Sequence, residues 1–281
     1  MKAKAIDTLN TYFTTRRGEQ LNEWHEMEST TCKLTAVIPH LGAAPSKDEV
    51  IAQMDEAGVE KTFFMQLLMF SYKNKEPALS CTVDELAEWV SQAPDRFVGI
   101  ATYDPYQITQ SLRDIDKGVK EYGFKGVHVH IYGFDMPLND AKMYPLYAKC
   151  VELGVPVSMQ VGYVLEGMPS DAGRPIHLDR IALDFPELVM VGTHTGYPWC
   201  EGLVSICYKY ENVYLGCSAH LPRYWDQTII NNINTRLRNK CIFGTNMIPA
   251  KMMLDQVEQL PLRDEVRPLL LRDNAIKVWK L

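Results

Sequence analysis

The amino-acid sequence predicts an α/β fold in which eight parallel strands and their connecting helices close into a (β/α)8 barrel. Eight short apolar runs alternate with helical patterns from one end of the chain to the other. Several runs lack polar–apolar alternation, as expected for parallel strands that are covered on both faces. The 281 residues suit one such barrel, which typically takes about 250. We therefore expect a single domain over residues 1–281.

The predicted strands are the short apolar runs that polar or turn-forming residues bound. In chain order they are Ala3–Thr8, Lys61–Gln66, Phe97–Tyr103, Gly126–Ile131, Pro156–Val161, Val189–His194, Asn212–Cys217 and Cys241–Asn246. No stretch rich in Pro, Gly or Ser separates them, so the sequence contains no linker between domains.

Helices are predicted between the strands from capping residues and helical spacing. Capping boxes at Ser46–Glu49 and Thr82–Glu85 begin two helices, and Gly58 ends the first of them. Apolar residues three and four positions apart predict further helices. These are the segments Met143–Val151, Leu178–Phe185 and Leu271–Ile276.

The segment 11–45, between the first strand and the first clear barrel helix, departs from the regular spacing. Connections this long are usually lids, binding loops or small insertions, so we expect a lid or insertion loop. Its charged and aromatic residues include Arg16, Arg17, Trp24, His25 and His40. A surface excursion with ordinary solvated charges is an equally good explanation.

The composition excludes several classes of protein. Hydrophobic residues make up 46% of the chain and charged residues 23%, as in soluble globular proteins and unlike disordered ones. With 29 Lys and Arg against 35 Asp and Glu, the net charge is −6. This balance argues against nucleic acid or an anionic membrane as a partner. No apolar window approaches the length of a membrane span.

The cysteines and the N-terminus indicate a cytoplasmic protein. The seven cysteines are odd in number and form no Cys-x-x-Cys pair. We interpret them as small core residues in a reducing compartment and not as disulfides or zinc ligands. The N-terminus also lacks the long apolar stretch of a signal peptide.

Candidate functional residues lie at the carboxyl ends of the predicted strands, where barrel enzymes place their active sites. His128 and His130 lie on the fourth strand, Gln160 on the fifth, His194 on the sixth and Asn246 on the eighth. Three of the seven histidines therefore fall on these few positions. Because imidazole serves near neutral pH as an acid, a base or a metal ligand, this concentration indicates function.

Six stretches of the chain carry a family resemblance. They are Tyr144–Val157, Asp184–Leu188, His194–Trp199, Asn212–Tyr214, Phe243–Asn246 and Asp273–Ala275. They resemble the amidohydrolase-related family, in particular the branch that is similar to aminocarboxymuconate-semialdehyde decarboxylase. The resemblance implies a distorted TIM barrel, and an enzyme that is a hydrolase or a carboxy-lyase with a small-molecule substrate. Related barrels often dimerise, so the resemblance also leaves a homodimer open.

The family's metal site is altered in this sequence. The resemblance implies two histidines on the first strand, one on the fifth, one on the sixth and an aspartate on the eighth. Leu9, Thr11, Gln160 and Asn246 occupy four of these positions, and His194 occupies the fifth. Leucine has no donor atom, and neutral hydroxyl and amide groups are poor zinc ligands. We therefore expect no metal and no other cofactor.

A replacement zinc site at His128, His130 and His194 is the alternative. Residues two apart on a strand project to the same side, and three imidazoles are a known zinc ligand set. However, one of the pair would lie deeper in the barrel, and no carboxylate obviously supports it. For His128, burial with satisfied hydrogen bonds is an equally good explanation.

The catalytic residues predicted from the sequence are His194 and His130, because an amide at Asn246 cannot act as the family's aspartate base. Neutral amides can still orient a carboxylate or a carbonyl group. The predicted substrate-binding residues are His128, Gln160, Tyr163, Arg223 and Asn246. Arg223 would meet an anionic substrate, and a solvated loop arginine is its equally good alternative.

The leading functional hypothesis is a metal-independent hydrolase of a small, acidic or aromatic substrate of the lactone or ester type. A histidine would activate water while the amides hold the acyl oxygen. A carboxy-lyase of a small aromatic or unsaturated acid ranks nearly level, because decarboxylation needs a proton donor but no activated water. A non-catalytic ligand-binding protein is the third alternative, since the altered metal site removes the usual basis for chemistry.

Overall fold

The computed structural model describes residues 4–38 and 41–281. Ala3, which begins the first predicted strand, and His40 of the segment 11–45 lie outside the described residues. Within the described part, no helix combines the length and the hydrophobicity needed to cross a membrane.

Ten strands occur in the described residues, and eight of them match the predicted strands in order. They are β1 (Ala5–Asn10), β2 (Val59–Met65), β3 (Leu68–Phe70), β4 (Pro77–Ser80), β5 (Phe97–Ile100), β6 (Val127–Val129), β7 (Val157–Met159), β8 (Met190–Gly192), β9 (Val213–Cys217) and β10 (Cys241–Phe243). The sequence did not predict β3 and β4, which form an antiparallel hairpin after β2.

The eight matching strands form the barrel in two parallel sheets. One sheet has the order β1-β2-β5 and the other has the order β6-β7-β8-β9-β10. A single parallel bridge between Ala101 and Val127 joins the two sheets on one side. On the other side, the Thr8 hydroxyl donates to the Phe243 carbonyl at 2.7 Å and Asn246 N donates to the Leu9 carbonyl at 2.8 Å. The predicted fold class is therefore confirmed, whereas the single-domain division stays a prediction.

Helices separate the barrel strands, and the predicted caps are present. They are α1 (Thr15–Glu23), α2 (Glu28–Leu34), α3 (Lys47–Ala57), α4 (Val83–Ser91), α5 (Ile108–Lys120), α6 (Tyr144–Leu153), α7 (His177–Asp184), α8 (Cys200–Lys209), α9 (Gln227–Ile233), α10 (Ala250–Gln259) and α11 (Asn274–Trp279). Both capping boxes form, at Ser46 and at Thr82. Gly58 and Gly154 end their helices in the left-handed conformation that favours glycine.

The segment 11–45 is a helical insertion and not a loop, since it contains α1, α2 and the turn His25–Met27. Its charges do not all face solvent. Arg17 is buried, with its guanidinium 4.3 Å from the Tyr12 ring centroid and 3.7 Å from the Glu85 carboxylate. Arg16 and His25 are exposed, as the surface explanation requires. Burial of Trp24 helps to pack the insertion against the barrel.

Asp7 fastens the junction between β1 and the end of β10. Its buried carboxylate accepts hydrogen bonds from Thr245 N at 2.8 Å and from the Thr245 hydroxyl at 2.7 Å. It also accepts from Leu9 N at 3.3 Å and from Asn10 Nδ2 at 3.0 Å. Burial raises the pKa of Asp7 to about 6 in spite of these bonds. These bonds fix the place of Thr245, and Asn246 is the next residue in the chain. Asp7 therefore helps to position one of the candidate site residues.

We expect Asp7→Ala to lower the free energy of unfolding by about 3 kcal/mol, because it leaves two buried Thr245 donors without an acceptor. The folded pKa of Asp7 is raised, so the wild type loses stability as the pH rises from about 4, the unfolded value, to about 6. Asp7→Ala should lack this loss of stability between about pH 4 and pH 6. Urea unfolding at pH 4 and pH 7 measures both effects, with the exposed Asp95→Ala as the control. Equal midpoints for the two variants would contradict the structural role.

Candidate active site

A cavity of about 130 Å³ lies at the carboxyl ends of the barrel strands, beneath the helical insertion. Most of its wall is apolar, and the insertion contributes Phe13, Leu21, Met27, Leu34, Ile38 and Leu41. Its polar lining residues are Thr11, Gln66, Thr102, His128, His130, Gln160, Tyr163, Glu166, His194, His220 and Asn246. A cavity of about 150 Å³ accommodates a benzene ring. The cavity therefore suits a single ring or a short chain.

Six of the seven predicted site residues line this cavity. They are His128, His130, Gln160, Tyr163, His194 and Asn246. Arg223 does not, because its side chain is exposed in the turn Pro222–Tyr224, with the guanidinium 4.8 Å from the Tyr224 ring centroid. The structure therefore gives no support to a substrate-binding role for Arg223, and it agrees with the solvated alternative.

Two of the histidines are oriented by serines of the neighbouring strands. His128 Nδ1 lies 3.0 Å from the Ser158 hydroxyl, and His194 Nδ1 lies 2.9 Å from the Ser218 hydroxyl. Ser218 also accepts a hydrogen bond from His194 N at 3.2 Å. Since each Nδ1 has a protein partner, Nε2 is the nitrogen of each ring that stays available to a ligand. Only the register of neighbouring strands produces these pairs, so the sequence did not show them.

His130 has no such partner. Both of its ring nitrogens are buried without a hydrogen bond in the described part of the chain, and the ring packs edge-on against Tyr132 with centroids 5.3 Å apart. A buried polar group without a partner costs free energy, so native proteins rarely keep one without a functional reason. The Thr11 hydroxyl is unpartnered in the same cavity. These atoms mark the place where a polar ligand would gain hydrogen bonds.

The backbone at the site is strained at two of the predicted residues. His194 has a φ of 59° and Asn246 a φ of 52°, a left-handed conformation that is uncommon outside glycine. Such strain persists only where surrounding contacts hold it, and it concentrates at functional sites. Here the contacts are the Ser218 and Leu9 hydrogen bonds to the two backbone N–H groups.

Burial keeps the histidines neutral. It lowers the pKa of His128 to about 3, with His130 as a second cause, and it lowers the pKa of His130 to about 4. Burial also holds the pKa of His194 well below the ordinary value, and the nearby His220 adds to this effect. Neutral imidazoles can accept a proton or donate a hydrogen bond, but they are weak acids.

Glu166 is a cavity residue that sequence reasoning missed. It lies between β7 and α7, and it is the only Asp or Glu that lines the cavity in the ranges 4–38 and 41–281. Burial raises the pKa of Glu166. No Lys or Arg of these ranges lines the cavity. The sequence signal that could have identified Glu166 is its position six residues after Gln160, in a loop at the carboxyl end of a strand.

The residues at the family's metal positions do not fit a divalent ion. Leu9 is buried against Gly244, and the positions Thr11, Gln160 and Asn246 offer only neutral oxygens beside the imidazole of His194. The alternative zinc set was His128, His130 and His194, and all three line the cavity. Within the described residues, however, no three His, Cys, Asp or Glu side chains are grouped to hold a metal.

The barrel and its site at the strand ends define an enzyme architecture, and the sequence match supplies the family. Residues 66–281 match the amidohydrolase family, so the chain belongs to the amidohydrolase family. This confirms the predicted resemblance and the predicted enzyme class, a hydrolase or carboxy-lyase of this superfamily.

Two characterised relatives are similar over parts of the chain. A 2-keto-4-carboxy-3-hexenedioate hydratase of Sphingobium sp. (strain NBRC 103272 / SYK-6) is 25% identical over 240 residues, which cover 69% of each chain. A 2-amino-3-carboxymuconate-6-semialdehyde decarboxylase of Dictyostelium discoideum is 29% identical over 75 residues, or 26% of this chain and 21% of the relative. The second relative belongs to the branch that the sequence motifs indicated.

Solved structures share the whole fold. An uncharacterized TIM-barrel protein of Bordetella bronchiseptica has a TM-score of 0.78 at 22% identity and covers 98% of this chain and 97% of its own. A dihydroxybenzoic acid decarboxylase of Polaromonas sp. JS666, with bound manganese and the inhibitor 2-nitroresorcinol, has a TM-score of 0.72 at 19% identity. That match covers 99% of this chain and 97% of the decarboxylase. At these identities the likeness shows the fold alone.

We expect the ring signals of His128 and His130 to stay constant between pH 8 and pH 5.5, since burial places both pKa values at about 4 or below. Two-dimensional ¹H–¹³C NMR measures this, with assignments from His128→Gln and His130→Gln. The exposed His25 is the reference in the same spectra. A midpoint near 6.5, the value of a free histidine, would show that the site is wetter and more polar than the structure indicates.

Proposed function

We propose that this protein is a carboxy-lyase that removes CO2 from a small aromatic or unsaturated acid. The observation that carries the proposal is the chemistry of the cavity wall. It is mostly apolar, its imidazoles are neutral, and no Lys or Arg lines it in the described part of the chain. The relatives support a lyase, since one is a hydratase and the other a decarboxylase.

A wall of this kind favours loss of CO2 over retention of a carboxylate. A carboxylate that enters the cavity gives up its hydration and meets no cation in return, so its ground state is raised in free energy. The amides of Gln160 and Asn246 can orient it through neutral hydrogen bonds. As the C–C bond breaks, the charge leaves the carboxyl oxygens and neutral CO2 is released. The unfavourable desolvation is therefore relieved in the transition state.

His130 is the proposed base of the reaction. His130 lines the cavity, and its buried ring nitrogens have no partner in the described part of the chain, so a bound substrate hydroxyl would give one of them a hydrogen bond. Partial removal of that proton pushes electron density onto the conjugated carbon that carries the carboxyl group. That carbon then accepts a proton when CO2 leaves. His194, held by Ser218, is the second proposed catalytic imidazole, and His128, Gln160, Tyr163 and Asn246 would contact the substrate.

The hydrolase hypothesis is less well supported than the carboxy-lyase. Hydrolysis needs an activated water, and the amide of Asn246, at the family's aspartate position, cannot take a proton from water. Hydration of a carbon–carbon double bond is the second candidate, because the hydratase relative is similar over 69% of this chain. Both lyase reactions need a base and a proton donor in one cavity, and their products distinguish them.

The reaction test uses dihydroxybenzoic acids and 2-keto-4-carboxy-3-hexenedioate, with products analysed by mass spectrometry in D2O. We expect loss of CO2 and gain of one deuterium at the vacated carbon. His130→Ala should lower turnover by about 10²–10⁴-fold, the usual contribution of an acid–base group. The control is His25→Ala, which removes an exposed histidine of the insertion. Addition of water would favour the hydratase, and full activity of His130→Ala would contradict the proposed base.

We also propose that the reaction needs no metal, because the residues at the family's metal positions are poor ligands. Protein purified without chelators should contain well under one equivalent of zinc or manganese by elemental analysis. EDTA should leave turnover unchanged, and added Mn²⁺ should not raise it. A full equivalent of metal together with loss of turnover in EDTA would overturn this part of the proposal.

A further inference from the structure

Glu166 is held at the cavity by hydrogen bonds on both sides of it in the chain. The Thr30 hydroxyl of α2 donates to the Leu165 carbonyl at 2.7 Å, and Gly167 N donates to the Glu26 carbonyl at 2.9 Å. The insertion therefore fixes the backbone on both sides of Glu166, which lines the cavity. This explains how a residue of an irregular segment can keep a defined place in the site.

The insertion segment that holds Glu166 is itself fastened to the barrel. The Glu26 side chain accepts hydrogen bonds from the Ser71 hydroxyl at 2.8 Å and from Lys73 N at 3.0 Å. Both donors lie between β3 and β4. The hairpin, the insertion and the segment after β7 thus form one connected rim around the mouth of the cavity.

The surroundings of Glu166 contain no cation among the described residues that line the cavity. Tyr132, from the segment after β6, and Tyr163, from its own segment, are near Glu166. Burial raises the pKa of both tyrosines, and the Glu166 carboxylate adds to this effect. The insertion contributes Glu26, whose carboxylate is turned to Ser71 and Lys73. The remaining titratable groups of the cavity are the histidines His128, His130, His194 and His220.

We propose that Glu166 is the proton donor of the site and gives its carboxyl proton to the substrate carbon as CO2 leaves. The inference rests on the proposed decarboxylation. The C–C bond to the carboxyl group breaks and its electron pair stays on the carbon, while the O–H bond of Glu166 breaks and a C–H bond forms. The products are CO2, the protonated organic product and the Glu166 carboxylate. A proton from bulk water then restores the acid.

Two features of the cavity favour this assignment. First, no other carboxyl group of the described residues lines it, and the four histidines have lowered pKa values that make them poor donors. Second, burial raises the pKa of Glu166, and a bound anionic substrate would raise it further by repulsion. An acid and bases whose pKa values are displaced in opposite directions are the usual arrangement for acid–base catalysis.

The test compares Glu166→Gln, which keeps the shape of the side chain but has no acidic proton, with Glu166→Asp. We expect Glu166→Gln to lower kcat by about 10²–10⁴-fold with little change in KM, and Glu166→Asp to restore part of the loss. The wild-type kcat should fall as the pH rises through the pKa of Glu166, and this limb should be absent in Glu166→Gln. Glu187→Gln, on an exposed residue outside the cavity, is the matched control. Undiminished kcat in Glu166→Gln would overturn the assignment and leave the carboxy-lyase proposal standing.

A second measurement does not depend on turnover. Carboxyl ¹³C NMR of protein labelled at glutamate, assigned with Glu166→Gln, gives the titration of Glu166 directly. We expect a midpoint above about 4.3, the value of a free glutamate. A midpoint at or below that value overturns the proton donor whatever the activity. Absence of CO2 release by the wild type, combined with a raised midpoint, would instead overturn the proposed reaction.

Discussion

The closure of the barrel between β1 and β10 is the contact on which the site depends. It consists of few bonds, and the buried Asp7 carboxylate makes two of them by accepting from both donors of Thr245. Because Thr245 precedes Asn246, the same bonds place an amide at the cavity in a left-handed conformation. Thr245, which binds the stabilising carboxylate, and Asn246, which lines the cavity, are therefore neighbours in one short stretch of chain.

Burial is the second constraint, and it acts on acids and bases in opposite directions. Within one cavity it lowers the pKa of His128 and His130 and raises that of Glu166. The helical insertion produces this burial by covering the strand ends with apolar side chains such as Phe13 and Leu21. The insertion therefore covers the candidate site and is not only a surface excursion.

The sequence predicted the barrel and six of the residues that line the cavity, and the exceptions have physical reasons. Strand ends of a parallel barrel converge by construction, so His130, Gln160 and His194 could be brought together from their order along the chain. Arg223 follows a strand as well, but it lies in a turn that points to solvent. Glu166 was missed because it lies in an irregular segment whose path depends on hydrogen bonds to the distant insertion.

What the sequence by itself determined is the class of fold, the order of the strands and the substitution of the family's metal ligands, since periodicity, caps and residue identity are local properties. Only the tertiary structure decided which side chains share the cavity, which imidazoles have partners and how burial displaces each pKa. Those properties arise between elements far apart in the chain. Ser218 reaches His194 across 24 positions and Thr245 reaches Asp7 across 238, separations at which no local pattern records the contact.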